Sequence, residues 1–479
     1  MKDECRSVAI IGGGCSGTLL AAHLAREAMA PTVIHLVDRS PSPARGVAYA
    51  TTHPLHLLNV RVGRMSAFED DPAHFRRWLR ETGALGRSWS DTDFAPRGLY
   101  GTYLEELLRR AARQNEAASI RPVKGNATTL RGTRDGVTIT LEDGGRIDAD
   151  CAVLCLGNAP PRASEPLRHV ASAARVIADP WNEAARRQIA PDDRVLFVGT
   201  GLTMVDLTLE LAERGHRAPL HAVSRHGLVP QKHASPTPYP AFLDRGHLPR
   251  SIRAQWLLFR VEVARAAERG VDWRDVFDAM RPVIQDLWHA LPPEERRRFL
   301  RHMRPYFDTH RHRMAPEVAY RFDELRRIGR LTVDAARIVD VSGPEPFRVS
   351  LLPRGRQEIS TIEADWIVNC TGPDATFRAR GDTLVEDLIA AGLGRPDPLG
   401  LGLDVTPESA LIDTEGRPSR TLYAIGALTR GALWDITAVP DIRKQCAAIA
   451  RELMARPTPY RPAAQVEQRK GLIGAQSAG

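Results

Sequence analysis

The chain contains no apolar run of about 18 residues, the length a helix needs to cross a bilayer, so it is expected to cross no membrane. It has only six cysteines: Cys5, Cys15, Cys151, Cys155, Cys370 and Cys446. None stands in a CxxC pair or at a metal-ligand spacing, so a disulfide framework and a zinc module are excluded and no metal is expected. The scatter of the cysteines fits a reducing compartment. Lysine is scarce, and the arginines that dominate the basic residues are spread evenly among acids. The net charge of +8 therefore comes without the basic block or recognition module that nucleic-acid binding uses, and no nucleic-acid partner is expected. Lys2, Asp3 and Glu4 lead almost directly into a strand at Val8, leaving no room for a secretory leader. The cytoplasm is the expected location.

At 479 residues the chain is too long for one core and should form two or three domains. A strand, a glycine turn and an apolar helix follow one another at Val8–Ala28 and again at Arg194–Arg214, which predicts two dinucleotide-binding units. In the first, Gly12-Gly13-Gly14-Cys15-Ser16-Gly17 follows the strand Val8–Ile11. Gly12 permits the tight turn, Gly14 lets backbone approach a pyrophosphate, and Gly17 lets helix pack on strand. The helix N-terminus, near Ser16, stabilises phosphate charge. A second strand, Val33–Val37, ends in Asp38, whose carboxylate suits ribose hydroxyls and repels a 2′-phosphate. These features assign FAD to the first unit.

In the second unit Gly199-Thr200-Gly201-Leu202-Thr203-Met204 follows the strand Val195–Val198, with Met204 in place of the third glycine. The strand Leu220–Val223 ends in Ser224-Arg225-His226 without an acid. Arg225 can pair bidentately with a 2′-phosphate, which favours NADPH over NADH; it can also be an ordinary surface charge.

Two segments, Asp150–Gly157 and Asp365–Gly372, are near copies: acid, apolar strand, small residue, glycine. Both are read as strands where the chain crosses between domains, Asp365–Gly372 bringing it back to the first sheet, with Gly157 and Gly372 in contact with the flavin. Leu422–Gly426, followed by a helix opening at Ala438–Arg443, reads as the closing flavin motif, with Gly426 and Ile442 at the ring. Asn59, Arg64, Met65 and Ser66 lie in a polar loop that either touches FAD or closes its own turns. The expected fold is α/β, with two three-layer Rossmann-like domains, one for FAD and one for NAD(P). The FAD domain is expected to be discontinuous, residues 1–163 and 334–456. The nicotinamide domain, 164–333, carries a helical insertion at about 252–327, and 457–479 is a flexible tail. In the insertion Ile252, Trp256, Phe259 and Val263 share a helical face, and Trp256, Phe259, Trp273 and Trp288 are expected in the core.

With these residues in view, the chain resembles a bacterial family of FAD/NAD(P)-binding flavoproteins. The likeness is carried by VAIIGGGCSGTLLAAHL, RGVAYATTHPLHLLNVRVGRMSAF, PRGLYGTYL, VLFVGTGLTMVDLTLELAERGH, HRHRMAPEVA and GALWDITAVPDIRKQ. That family includes a FAD-dependent urate hydroxylase and is similar to flavin enzymes that hydroxylate amino-acid nitrogen. The resemblance implies an NAD(P)H-dependent monooxygenase using dioxygen on a small polar, nitrogen-rich substrate, urate-like or an amino-acid nitrogen. A flavin reductase or dehydrogenase with another acceptor, or a non-catalytic nicotinamide-binding protein, are the alternatives. The F-x-G-x-x-x-H fingerprint of Baeyer–Villiger and flavin-containing monooxygenases is absent: the linker Pro166–Trp181 has His169 but neither Phe nor Gly. His310, His312 and Arg313 are the candidates for a polar wall of the substrate cleft, facing the loop Gly431–Val439; a solvated helix start before Pro316 is the equal alternative for the same residues. The histidines, two residues apart, do not share a helix face, which argues against a metal pair.

Overall fold

The structure is a computed structural model that describes residues 5–40, 43–133, 136–374 and 383–457. The tail expected at 457–479 lies outside the described residues from 458 onward.

Strands β1 (Arg6–Ile11), β2 (Thr32–Asp38) and β3 (Ala118–Lys124) form parallel neighbours. Between β1 and β2 runs helix α1 (Cys15–Glu27), and α2 (Arg97–Gln114) precedes β3. The chain then makes an antiparallel meander, β4 (Ala127–Thr133), β5 (Gly136–Leu141) and β6 (Arg146–Ala149), before β7 (Cys151–Leu154) pairs with the free side of β1. Buried on both faces, β1 and β7 are continuous apolar runs, as a central parallel strand requires. One face packs on α1 and α2 through Leu20, Leu24, Ile34, Tyr100 and Leu104. The other packs on the meander through Ala9, Ile11, Ile139 and Ala152. This is the three-layer unit the first glycine motif predicts.

The second unit repeats it. β8 (Val176–Ile177), β9 (Val195–Val198) and β10 (Leu220–Ser224) are followed, beyond the helical insertion, by the long β11 (Leu331–Ser342). The first half of β11 pairs parallel with β10; its second half turns into a meander with β12 (Phe347–Pro353) and β13 (Ser360–Ala364). β14 (Trp366–Asn369) then pairs with β9 on the side away from β10. β15 (Ala410–Ile412) and β16 (Pro418–Ala424) return to the first sheet, β16 beside β7, giving the order β15-β16-β7-β1-β2-β3.

The boundary expected at 334 is therefore corrected. β11 to β14, residues 331–369, all lie in the second sheet, in the order β13-β12-β11-β10-β9-β14-β8. Asp365–Gly372 does not carry the chain back to the first sheet. It resembles Asp150–Gly157 because each does the same work in its own unit. The Asp150 carboxylate accepts from the Ser7 N–H at 2.7 Å, and Asp365 accepts from Arg194 N–H at 2.7 Å. Each thereby ties the start of its strand to the start of the neighbouring strand.

Helices α3 (Leu202–Glu213), α4 (Ile252–Glu268), α5 (Trp273–Met280), α6 (Ile284–Ala290), α7 (Arg304–Arg311) and α8 (Pro316–Arg327) complete the second half, α4 to α7 forming most of the insertion. The last helix, α9 (Val439–Ala455), packs on α1 through Ile442, Cys446, Ile449 and Leu453. Polar contacts join the two units. Arg97 of α2 is ion-paired with Asp206 of α3, and the wholly buried His56 stands 3.5 Å from Glu210.

Candidate cofactor sites and active site

The first turn needs glycine for two distinct reasons. Gly12 has φ +104°, a conformation L-residues avoid, and a Cβ there would lie 2.3 Å from the Cys155 carbonyl oxygen at the end of β7. Gly17 has an ordinary backbone, but a Cβ would lie 1.9 Å from the Gly12 carbonyl. With no side chain at either place, α1 starts tight against the sheet. Gly14 caps α1 in an extended conformation without a side-chain cap, leaving helix N–H groups for an anion. Asp38 closes the turn, one carboxylate oxygen accepting from Gly13 N–H at 2.6 Å and the other from Ser40 N–H at 2.7 Å.

The second turn has the same geometry. Gly199 has φ +110°, and its Cβ would lie 2.3 Å from the Cys370 carbonyl. Gly201 caps α3 in an extended conformation and is open, with nothing within 4 Å of a Cβ. Thr203 is half-buried, while Met204 is fully buried in the core beneath α3, filling the space a third glycine would leave. Where the first unit has Gly13 bonded to Asp38, the second has Thr200 bonded to Ser224 through their hydroxyls at 2.8 Å. No carboxylate stands there. Arg225 is exposed and makes no ion pair among the described residues; with Arg354 it flanks His226, and burial together with these cations lowers that imidazole's pKa. Sequence reasoning found Arg225 but missed Arg354, because the β12–β13 turn is brought there only by the meander.

Gly372 follows β14, at the end of the second sheet, so its expected place beside the first turn is corrected: Cys370, two residues before it, is the neighbour of Gly199. Gly157 occupies the matching place after β7 in the first unit. Gly426 does reach the first turn, with a Cβ position 3.2 Å from the Ser16 hydroxyl. It is held by a residue the sequence reading did not single out. Gln445 of α9 accepts from Gly426 N–H at 2.9 Å and donates to Ser409 at 2.8 Å. Ile442 is buried at the start of α9, on α1.

The 59–66 loop divides. Met65 and Ser66 are buried, and Ser66 is spent on the loop itself, its hydroxyl donating to Asp71 O at 2.6 Å and accepting from Phe68 N–H at 3.1 Å. Both have turn-closing and core roles. The half-buried Asn59 presents its carbonyl to His233 Nε2–H at 3.1 Å, and burial lowers His233 to about 4, so it is neutral.

The expected polar wall is redistributed. Arg313 is not free to meet a substrate: it is buried and bidentate to Asp278 at 2.9 and 3.2 Å, donates to His310 O, and lies over Trp273. His310 bonds Tyr306 O through Nδ1 at 2.8 Å and packs edge-on against Trp273. Arg311 stands between them in sequence. It is buried, paired with Asp435, and 3.8 Å from Asp441 at the start of α9. Asp435 has φ +65°, so the Gly431–Val439 loop is held in a sparsely populated conformation at this point. Around the pair stand His312 and Arg430, both with pKa values lowered by burial, Arg281, lowered to about 10 by burial and by Arg311, and Asp441, raised by burial.

Next to this charged group the insertion encloses a cavity of about 500 Å³, within the range of small-molecule sites. Trp256, Phe259, Trp273 and Trp288 line it; Trp288 is buried in the core as expected, whereas Phe259 and Trp273 are half-buried and Trp256 is 41% exposed. The inner wall is Trp434, stacked on Trp288 at 4.9 Å. Trp288 Nε1–H donates to Gly431 O at 2.8 Å, and His289 bonds Ala432 O, so the insertion grips the loop that leads into α9.

Burial pushes the Cys15 and Cys151 thiols up to about 12 and raises those of Cys155, Cys370 and Cys446 as well. Among the described residues there is no cluster that could hold a metal ion, and no helix is long and apolar enough to cross a membrane.

A family model described as FAD-NAD(P)-binding matches residues 9–159, the whole first unit through β7. No curated protein sequence matches the chain. Among solved structures, the ornithine N-hydroxylase of Kutzneria sp. 744, solved with reduced FAD, NADP+ and L-ornithine, aligns with TM-score 0.63 at 18% identity, covering 94% of this chain and 99% of that one. The L-lysine 6-monooxygenase of Pseudomonas syringae aligns with TM-score 0.65 at 18% identity over 94% and 99%. The FAD-bound cadaverine monooxygenase of Erwinia amylovora aligns with TM-score 0.65 at 12% identity over 95% and 96%. The shared property is the fold: two dinucleotide-binding Rossmann-like units in one chain.

Proposed function

We propose that this protein is an FAD- and NAD(P)H-dependent monooxygenase, with NADPH the preferred donor. The observation that carries the reading is the pair of matched glycine turns, each an uncapped helix N-terminus set against its own sheet, with α9 closing on the first turn only. The likeness in fold to enzymes that hydroxylate amine nitrogen supports oxygen transfer over simple electron transfer.

FAD fits the first unit, where the cradle between Gly12, Gly14 and Gly17 admits a pyrophosphate and Asp38 stands at the end of β2. When bound, it supplies electron transfer from reduced nicotinamide and activation of dioxygen. The chain's own residues do the rest. Gly199 and Gly201 open the second helix N-terminus to the nicotinamide pyrophosphate, and Arg225 with Arg354 receives a 2′-phosphate that the Thr200–Ser224 pair does not repel. Arg311 and Asp435 fix the loop ahead of α9, which would bound the substrate side of a flavin held on the first turn. Trp434 and the insertion would then help keep water from that side.

In the balanced reaction NADPH and a proton give two electrons, one oxygen atom enters the substrate, and the other leaves as water. The test is anaerobic mixing of the holoenzyme with NADPH or NADH, followed by labelled dioxygen with a substrate candidate. Flavin reduction, then one labelled oxygen in the product, is expected. Reduction by neither nicotinamide, or electron transfer to another acceptor without label incorporation, overturns it.

A further inference from the structure

We infer that the insertion cavity binds an uncharged aromatic molecule bearing a hydroxyl group, and that His310 accepts the hydroxyl hydrogen. The inference rests on the monooxygenase reading only for calling that molecule the substrate; its observations are separate from the cofactor turns. It departs from the small polar substrate that the family resemblance implies.

The walls are aromatic out of proportion to the chain. Aromatic residues are 6% of the sequence, yet four of its eight tryptophans, Trp256, Trp273, Trp288 and Trp434, line this one cavity. The rings hold one another in place. Phe259 meets Phe277 edge to face at 5.9 Å, Trp288 stacks on Trp434 at 4.9 Å, and Trp273 meets His310 at 4.8 Å. A planar ring that enters such a frame gains edge-to-face and stacked contacts beyond the gain from burial alone. Phe299 and Met303, also in the lining, belong to a π-helical turn, a distortion of the kind that accompanies ligand sites. The outer wall is α4, of whose 17 residues only Ala266 is buried. It is the wall that gives way to an entering ligand.

The polar side chains of the lining select against charge. No carboxylate lines the cavity among the described residues, so an ammonium group would enter without a partner. The guanidinium in the lining is that of Arg260, which is exposed, so water and salt screen it and it is worth little to an anion. Gln255 is already engaged, its amide N–H groups donating to Pro249 O and Leu287 O. What remains lies on α7. His310 Nδ1–H donates to Tyr306 O at 2.8 Å. A carbonyl only accepts, so the neutral ring keeps Nε2 as an acceptor, and Nε2 makes no hydrogen bond among the described residues. One turn earlier Tyr306 lines the same cavity, its hydroxyl also without a hydrogen bond among the described residues. A ligand hydroxyl can donate to His310 and accept from Tyr306 while the aromatic walls take its body.

Isothermal titration calorimetry of the purified holoenzyme tests this with naphthol and four relatives. Its methyl ether lacks the donor, decahydronaphthol lacks the aromatic rings, and naphthoate and naphthylmethylamine carry the rings with opposite charges. Naphthol should bind saturably with a negative heat-capacity change. The ether should bind about tenfold more weakly, decahydronaphthol about threefold or more, and both charged relatives more weakly than naphthol. Ala264→Phe and Ala267→Phe place bulk in the cavity from exposed positions on α4 and should weaken naphthol about tenfold or more. His310→Phe should reduce naphthol to the affinity of the ether and leave the ether unchanged, whereas His310→Gln, which keeps an acceptor, should restore part of the preference. Circular dichroism reports that each variant is folded. Absence of saturable binding, equal affinity for naphthol and its ether, tighter binding of the acid or the amine, or Phe variants at α4 that bind naphthol normally would each overturn the inference. If naphthol binds as described and NADPH fails to reduce the flavin, the cavity assignment stands and the monooxygenase reading falls.

Discussion

Gly12→Ala and Gly199→Ala are locally the same perturbation, and the structure predicts that they separate the two cofactors. Each places a methyl group at φ above +100°, a conformation that costs a non-glycine residue roughly 1–3 kcal/mol. Each also sets that methyl 2.3 Å from a carbonyl oxygen, Cys155 in one case and Cys370 in the other, where ordinary contact begins at 3.4 Å. The turn must retreat by about 1 Å, which breaks the register that Cys155 N–H to Ile11 O, at 2.7 Å, maintains in the first unit. Losing one such bond adds about 1 kcal/mol. The sum, about 2–4 kcal/mol, corresponds to a roughly 30- to 1,000-fold loss of affinity at the affected turn. Gly12→Ala should be purified largely free of FAD and rebind it that much more weakly by fluorescence titration. Gly199→Ala should keep stoichiometric FAD, accept electrons from dithionite, and fail to be reduced at normal NADPH concentrations. A Gly12→Ala protein with wild-type FAD affinity, or a Gly199→Ala protein that loses FAD to the same extent, would refute the assignment of the turns.

Arg225→Ala should raise KM for NADPH by about 10- to 150-fold, the roughly 1.5–3 kcal/mol of a charge-assisted pair, and leave KM for NADH nearly unchanged; equal effects would assign the enzyme to NADH. Arg313→Ala should destabilise the fold by about 2 kcal/mol, less than a fully buried pair because Asp278 keeps some contact with water, lowering the denaturation midpoint while kcat/KM changes only in step with the folded fraction. A selective loss of kcat at full stability would return Arg313 to the active site. His23 and His233 are both lowered by burial to about 4. The unfolded chain therefore binds more protons below about pH 6.5, and each histidine removes up to about 3 kcal/mol of stability as pH falls from 6.5 to 4. Replacing both by Gln should flatten the pH dependence of urea unfolding in that window, and an unchanged slope would show that neither is neutral in the native state.

Some of this was legible in the residues because it depends on short-range geometry. A strand, a glycine turn and a helix need only some twenty consecutive positions, so Gly12, Gly17 and Gly199 announced both units. The closing motif was legible for the same reason: Gly426 and the start of α9 could serve only a turn of the first kind. Where the chain changes sheets was not legible. Asp150–Gly157 and Asp365–Gly372 have nearly the same sequence because each caps its own β-unit, and local sequence does not say which neighbour a parallel strand pairs with; only the pairing of Trp366–Asn369 with β9 decided it. The candidate site was legible only in part. Arg311, His312 and Arg313 are consecutive and chemically alike to a reader of sequence. Their fates diverge because Asp435 and Asp278, 124 and 35 residues away, claim different guanidiniums. The aromatic residues of α4 to α6 show the same limit. Helical periodicity shows that Ile252, Trp256, Phe259 and Val263 share a face, but whether that face meets another side chain or an open cavity is a matter of packing volume, which only the assembled helices determine.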